Sequence, residues 1–128
     1  GGALLLEKIV AYNAGTFVVV ADSSKEKPHI GALFPVPVEV VPEARIAVAN
    51  ALEKFGARTV LREAVRKAGP VITDNGNIIL DALWEAPPDA EEMEQRINLI
   101  PGVVETGFFT VHTPMVFIAQ RDGTVTER

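Results

Sequence analysis

The sequence predicts an α/β fold in which a small α+β lobe is inserted between two pieces of a parallel sheet. Three observations carry this. "FVVVA", Phe17–Ala21, is a valine-rich apolar run, the pattern of a strand buried on both faces of a parallel sheet. A second apolar run spans Met115–Ala119. Between them, from Phe34 to Val111, the pattern runs β-α-β-β-α-β, a split βαβ arrangement. Two strands and one helix cannot cover both faces of such a sheet, so the parallel part is expected to be incomplete.

Each element follows from local pattern. Residues Ala3 to Asn13 place Leu4, Leu5, Lys8 and Ile9 at helical spacing, with Gly15 as the stop. Asp22-Ser23-Ser24-Lys25 follows the first strand at its carboxyl end, the edge where open α/β sheets bind ligands. In "GALFPVPVEVVP" three prolines frame alternating valines, which suits a strand at an edge or with proline at its ends. Gly31–Phe34 is expected to be the lobe boundary. Pro42–Phe55 is an amphipathic helix, with Ile46, Ala49, Asn50, Ala51 and Leu52 around its inner face and Gly56 as its cap. "RTVLREAVRKAGPVITDNGNIILDALW" suggests two antiparallel strands, and within it "VITDNGNIIL" sets Asn75-Gly76 between apolar runs, which predicts a hairpin. Pro87–Leu99 is a second helix, and Asp89, Glu91 and Glu92 sit in its first turns where the dipole favours acids. "IPGVVETGFFTV" reads as a turn then a strand. After Met115–Ala119 come a turn at Asp122-Gly123 and a tail.

Bulk properties narrow the function classes. The chain has 128 residues, of which 48% are hydrophobic, enough for a real core and too apolar for disorder. Its formal charge of −5 argues against nucleic acid or an anionic membrane as the main partner. A single phosphate needs only a few local donors and is compatible with that balance. There is no cysteine, which excludes disulfides and thiolate metal sites. No apolar run reaches the roughly 18–20 residues that span a bilayer.

Candidate chemistry is sparse, and each residue has an ordinary structural role beside a functional one. Glu7 is either a solvated acid near the positive end of a helix dipole or a general base. Gly1-Gly2 precedes it, and glycines suit close backbone approach. Backbone N–H groups at Gly1–Ala3, at a helix N-terminus, are placed to receive an anion. Lys25 is either a solvated lysine or a phosphate ligand. Asp22 suits a turn or cap. Thr73–Asn77 lacks the ligands and length of a calcium loop. His29 and His112 are isolated, and no cluster has metal-ligand spacing. Trp84, Phe108 and Phe109 suit a core or subunit contact. Asp89–Glu94 is expected to be a solvated helix face.

Five stretches, "GGALLLEKIV", "FVVVADSSK", "FPVPVEVVP", "GPVITDNGNIILD" and "INLIPGVVETGFF", occur in the order and spacing of one family. The chain resembles ribose-5-phosphate isomerase, type A, and specifically the C-terminal part of that enzyme. The resemblance implies an aldose–ketose isomerase of the pentose phosphate pathway. It would interconvert D-ribose 5-phosphate and D-ribulose 5-phosphate through an enediolate, without metal or cofactor. It implies a Rossmann-like large domain contributed by residues 1–30 and 112–128, and a ferredoxin-like small domain over residues 31–111. It also implies a cytoplasmic homo-oligomer, dimer or tetramer. Carried over by position, Glu7 matches the catalytic base, Gly1 and Gly2 the end of a Lys-Gly-rich substrate loop, and Lys25 a lysine contacting the sugar phosphate. Departures are present. The family's loop lysine, its Asp-Gly-Ala-Asp type motif and its Thr/Ser-rich phosphate loop would fall before residue 1. Leu6 stands where an arginine is common, and "TPMVFIAQ" replaces an Ala-Asp-containing strand. These departures set a second expectation beside the enzyme: a non-catalytic oligomerisation or binding fragment lacking the N-terminal half of the active site.

Overall fold

A computed structural model describes residues 2–128. Gly1, one of the expected substrate-loop residues, lies outside the described residues. The element order is α1 (Leu4–Asn13), β1 (Val18–Asp22), β2 (Val36–Val40), α2 (Arg45–Lys54), β3 (Ala57–Leu61), β4 (Ile78–Trp84), α3 (Ala90–Asn98), β5 (Val103–Thr106), β6 (Met115–Ala119) and β7 (Val125–Glu127). Two sheets form among the described residues. One has the order β1-β6-β7 and the other β3-β4-β2-β5. The fold is thus mixed α/β, with parallel and antiparallel pairing.

The four-stranded sheet holds the core. Its neighbours all pair antiparallel, with Val36 opposite Ala82, Val38 opposite Leu80 and Val40 opposite Ile78. Side chains alternate across a strand, so these six share one face. They cluster with Val48 and Leu52 of α2, Met93 and Ile97 of α3, Trp84 and Phe108. Trp84 and Phe108 lie 5.8 Å apart between ring centres, and the Trp84 indole donates to the Phe55 carbonyl at 2.9 Å. These two aromatics are core residues, as expected.

The opposite face of that sheet carries Glu39, opposite Ile79 on β4 and Glu105 on β5. Gly2 meets this face: a side-chain carbon on Gly2 would stand 3.3 Å from Ile79 Cδ1. Glu39 is fully buried. Its Oε1 accepts from Thr73 Oγ1 at 2.8 Å, Asn77 Nδ2 at 3.0 Å and Asn75 Nδ2 at 3.2 Å.

Several expectations are revised. Asn75-Gly76 does form a tight turn, with Gly76 N donating to Thr73 O at 2.9 Å. Residues 71–73 are no strand, however, because Thr73, Asn75 and Asn77 turn their side chains to Glu39. The strand pairing with β4 is β3, across a long connection. On α2 the inner face is centred on Val48 and Leu52, while Ile46 is 67% exposed and Asn50 is exposed. Ile46 precedes Val48 by two residues, about 200° around the helix. Gly56, at φ +90°, caps α2 as expected. Helix α1 ends instead on extended Ala14, with Asn13 Nδ2 donating to Ile9 O at 2.7 Å. The tail is not loose, since Val125–Glu127 pairs antiparallel with β6.

Strands β1 and β6 pair in parallel, Val18 beside Met115 through Asp22 beside Ala119. They are not buried on both faces: Val18 is 47% and Val20 76% exposed. A three-stranded sheet with one neighbouring helix leaves a face open, as the element count predicts.

Candidate active site

Helix α1 connects the two sheets, and its composition explains how. Leu4 and Ala11 are buried, and Lys8 between them is only 4% exposed. These residues recur at i, i+4 and i+7, one helical stripe. Lys8 Nζ donates to Glu105 Oε1 at 2.8 Å, the Thr106 carbonyl at 2.7 Å and the Phe108 carbonyl at 2.6 Å. It stands 3.0 Å from Glu94 Oε1 and 4.7 Å from the Phe109 ring centre. The Tyr12 hydroxyl donates to Glu94 Oε1, and Thr110 donates to Glu94 Oε2 through both its N–H and its hydroxyl. Burial alone would raise the Glu94 carboxyl, but hydrogen bonds from Thr110, Tyr12 and Lys8 outweigh it and hold the group below its ordinary range. Burial and the bond to Glu94 push the Tyr12 phenol up. Glu94 is therefore not part of a solvated face; it is buried in a charged cluster. Lysine and glutamate are almost never buried unless paired, and nothing local in the sequence marks this pair, which meets across 86 residues.

On the other side of α1 a groove of about 690 Å³ opens, lined by residues including Leu6, Glu7, Val18, Ile30, Gly107 and Phe109. That volume falls within the usual range of small-molecule sites, which are mostly apolar with few convergent polar groups. Glu7 is the one ionisable side chain lining it among the described residues. Glu7 is exposed, so it stands at the groove's open side. Its N–H donates to the Ala3 carbonyl at 3.0 Å, and Ala3, the N-cap, supplies no side-chain cap. The first N–H groups of a helix lack intrahelical acceptors. The turn before α1 therefore offers donors beside the acid.

Lys25 is not brought into this lining. It ends a 3₁₀ turn, Ser23–Lys25, directly after β1, and it is exposed. Asp22 caps that turn, accepting from Ser24 N at 2.8 Å. Hydrogen bonds from Ser24, aided by the Lys25 charge, lower the Asp22 carboxyl. Gly2 rests on Ile79 and is likewise outside the lining. Of the expected site residues that the structure describes, Glu7, Gly2 and Lys25, only Glu7 lines the groove. Among the described residues no group of three or more His, Cys, Asp or Glu is placed to hold a metal, and no helix is long and apolar enough to cross a membrane.

The family model for ribose 5-phosphate isomerase A (phosphoriboisomerase A) matches residues 1–123. The chain belongs to the ribose 5-phosphate isomerase A family. Ribose-5-phosphate isomerase A of Treponema denticola is 50% identical over 127 residues, which are 98% of this chain and 53% of that protein. The solved structure of ribose 5-phosphate isomerase A from Methanocaldococcus jannaschii superposes with a TM-score of 0.89 at 46% identity. It covers 100% of this chain and 56% of that one. A D-ribose-5-phosphate isomerase structure in complex with phospho-erythronic acid matches with a TM-score of 0.86 at 44% identity, over 96% of this chain and 54% of that one. The chain spans about half the length of the curated relatives it matches.

Proposed function

We propose that this chain carries the C-terminal part of an isomerase active site that interconverts D-ribose 5-phosphate and D-ribulose 5-phosphate. The observation that carries this is Glu7, the single ionisable side chain among the described residues that line an apolar groove of ligand size, in a chain of this family. Glu7 is the general base. Its carboxylate takes the proton from C2 of the aldose and returns it to C1 of the enediolate, so one group serves both carbons. General base catalysis of this kind contributes roughly 10²–10⁴-fold. The enediolate oxygen needs donors, and the uncapped N-terminus of α1 presents backbone N–H groups toward an anion. Gly1 and Gly2 form the adjoining substrate rim. Lys25, at the carboxyl end of β1, is assigned to the sugar phosphate as a point charge. The phospho-erythronic acid complex of a relative supports a sugar-phosphate ligand of this class.

The same proposal assigns residues 1–30 and 112–128 to a Rossmann-like domain and residues 31–111 to a ferredoxin-like lobe. The parallel β1–β6 pair and the antiparallel β3-β4-β2-β5 order support that division. A cytoplasmic homo-oligomer is the expected working form. The test uses the complete polypeptide that contains these residues. Wild type converts ribose 5-phosphate to ribulose 5-phosphate, and Glu7→Gln lowers kcat by about 10²-fold or more. Retained turnover in the Gln variant removes Glu7 from the mechanism.

A further inference from the structure

Resting on that assignment of Glu7, we propose that Lys8 is a positioning residue for the isomerase reaction. Its buried ammonium locks the helix bearing the base to a backbone segment that lines the same groove. The geometry is specific. Lys8 Nζ donates to the carbonyls of Thr106 and Phe108, the two residues flanking Gly107. Gly107 and Phe109 line the groove together with Glu7. One ammonium therefore holds both the helix that presents the acid and the backbone that lines the groove with it. Its third hydrogen bond goes to Glu105, and Glu94 adds a charge contact. All three donors of the ammonium are thus committed, and the helix cannot rotate about its axis without breaking them. Adjacent residues lie about 100° apart around a helix, so fixing Lys8 fixes the direction in which Glu7 leaves α1.

The Glu94 side supports the same lock. Tyr12 lies one turn after Lys8 on α1, and its hydroxyl donates to Glu94 and accepts from Thr110 N at 3.1 Å. Residues 106–110 are thereby tied to α1 at two successive turns. A core that only needed filling would use an apolar side chain here; a lysine with two carboxylates carries a desolvation cost instead.

The experiment compares wild type, Glu7→Gln, Lys8→Met, the triple variant Lys8→Met/Glu94→Gln/Glu105→Gln, and Tyr12→Phe, all in the complete polypeptide. The triple variant removes the buried charges together, so no carboxylate is left without its partner. Fold is monitored by circular dichroism and thermal melting, and kcat and KM are measured only on folded protein. Displacing a catalytic group by about 1 Å costs on the order of 10²-fold. The expected result is a roughly 10- to 100-fold fall in kcat for Lys8→Met and for the triple variant, with KM nearly unchanged. Tyr12→Phe, which keeps every charge, should lose about three- to tenfold in kcat by loosening Glu94. Wild-type kcat in the folded triple variant overturns the proposal, as does wild-type kcat in Tyr12→Phe should the lysine variants fail to fold. A wild-type enzyme that is inactive, or a fully active Glu7→Gln, defeats instead the assignment of Glu7, which separates the two failures.

Discussion

Replacing Gly102 by alanine tests whether the turn into β5 is set by close packing on α2. Gly102 has φ +96°, and a Cβ built there would stand 2.2 Å from Ala44 Cβ, 3.4 Å from Val41 Cγ2 and 3.6 Å from Val48 Cγ2. Two costs follow. An L side chain in the left-handed region costs about 1–2 kcal/mol. The contact with Ala44 is far inside the 3.5–4.0 Å optimum between carbons, and relieving such overpacking costs about 1–3 kcal/mol. The sum is about 2–5 kcal/mol, at roughly 3–6 °C of melting temperature per kcal/mol for a chain of this length. Two comparisons separate the terms. Gly123 has φ +89° with nothing within 4 Å, so Gly123→Ala pays the conformational cost alone. Ala44 is the N-cap of α2, a position that accepts glycine, so Ala44→Gly removes the obstructing carbon. Urea unfolding of Gly102→Ala, Gly123→Ala, Ala44→Gly and the Gly102→Ala/Ala44→Gly pair measures all of this. The pair should recover about 1–3 kcal/mol over Gly102→Ala alone. A Gly102→Ala variant no less stable than Gly123→Ala, or no recovery on adding Ala44→Gly, refutes the packing argument.

Two further outcomes follow from buried carboxylates. Glu39→Ala strips the acceptor from the buried Thr73 and Asn77 and from the exposed Asn75; each buried donor left alone costs about 1–3 kcal/mol, so the two buried ones together should cost about 2–6 kcal/mol. Glu39→Gln keeps an Oε1 acceptor and should cost less, and equal urea midpoints for the two would contradict this. Glu94 is held below its ordinary range in the folded state. Its contribution to stability is thus complete above its unfolded value and is lost as pH falls through the lowered folded one. The stability gap between wild type and Glu94→Gln should therefore narrow on acidification from about pH 6 to pH 3; a gap independent of pH would show that Glu94 does not titrate as the structure requires.

What was legible in the sequence was whatever short-range pattern controls. A valine-rich run marks β1, an apolar run marks β6, and the Asn75-Gly76 pair marks a tight turn. The order from β2 to β5 was readable for the same reason. What escaped depends on partners far apart in the chain. Thr73, Asn75 and Asn77 look like loop residues, and only Glu39, some 34 to 38 residues away, converts them into a buried polar nest. Lys8 and Glu94 look like solvated helix charges, because a charged residue on a short helix normally is one. Glu7 stood out through the resemblance, since by spacing alone it is an ordinary acid in a first turn. Ile46 was misplaced because α2 is only weakly amphipathic, and the stripe of Val48 and Leu52 differs from it by half a turn.

The four-stranded sheet also bears on where the proposed base can act. Helix α1 precedes β1 in sequence, yet its buried stripe packs on β5 and its neighbours, near the far end of the chain. The lining residues Gly107 and Phe109 likewise belong to the segment between β5 and β6. Glu7 and this segment are thus referenced to the four-stranded sheet, one through Lys8 and the other through continuous backbone. A displacement of β5 moves the two together, whereas loss of the Lys8 bonds moves one against the other. Changes inside the core of the four-stranded sheet, such as Gly102→Ala, should therefore act mainly on stability, while changes at the α1–β5 contact should act on turnover. That separation is physical rather than positional: Gly102 lies four residues from Thr106 in the chain, but Lys8 is bonded to Thr106 itself.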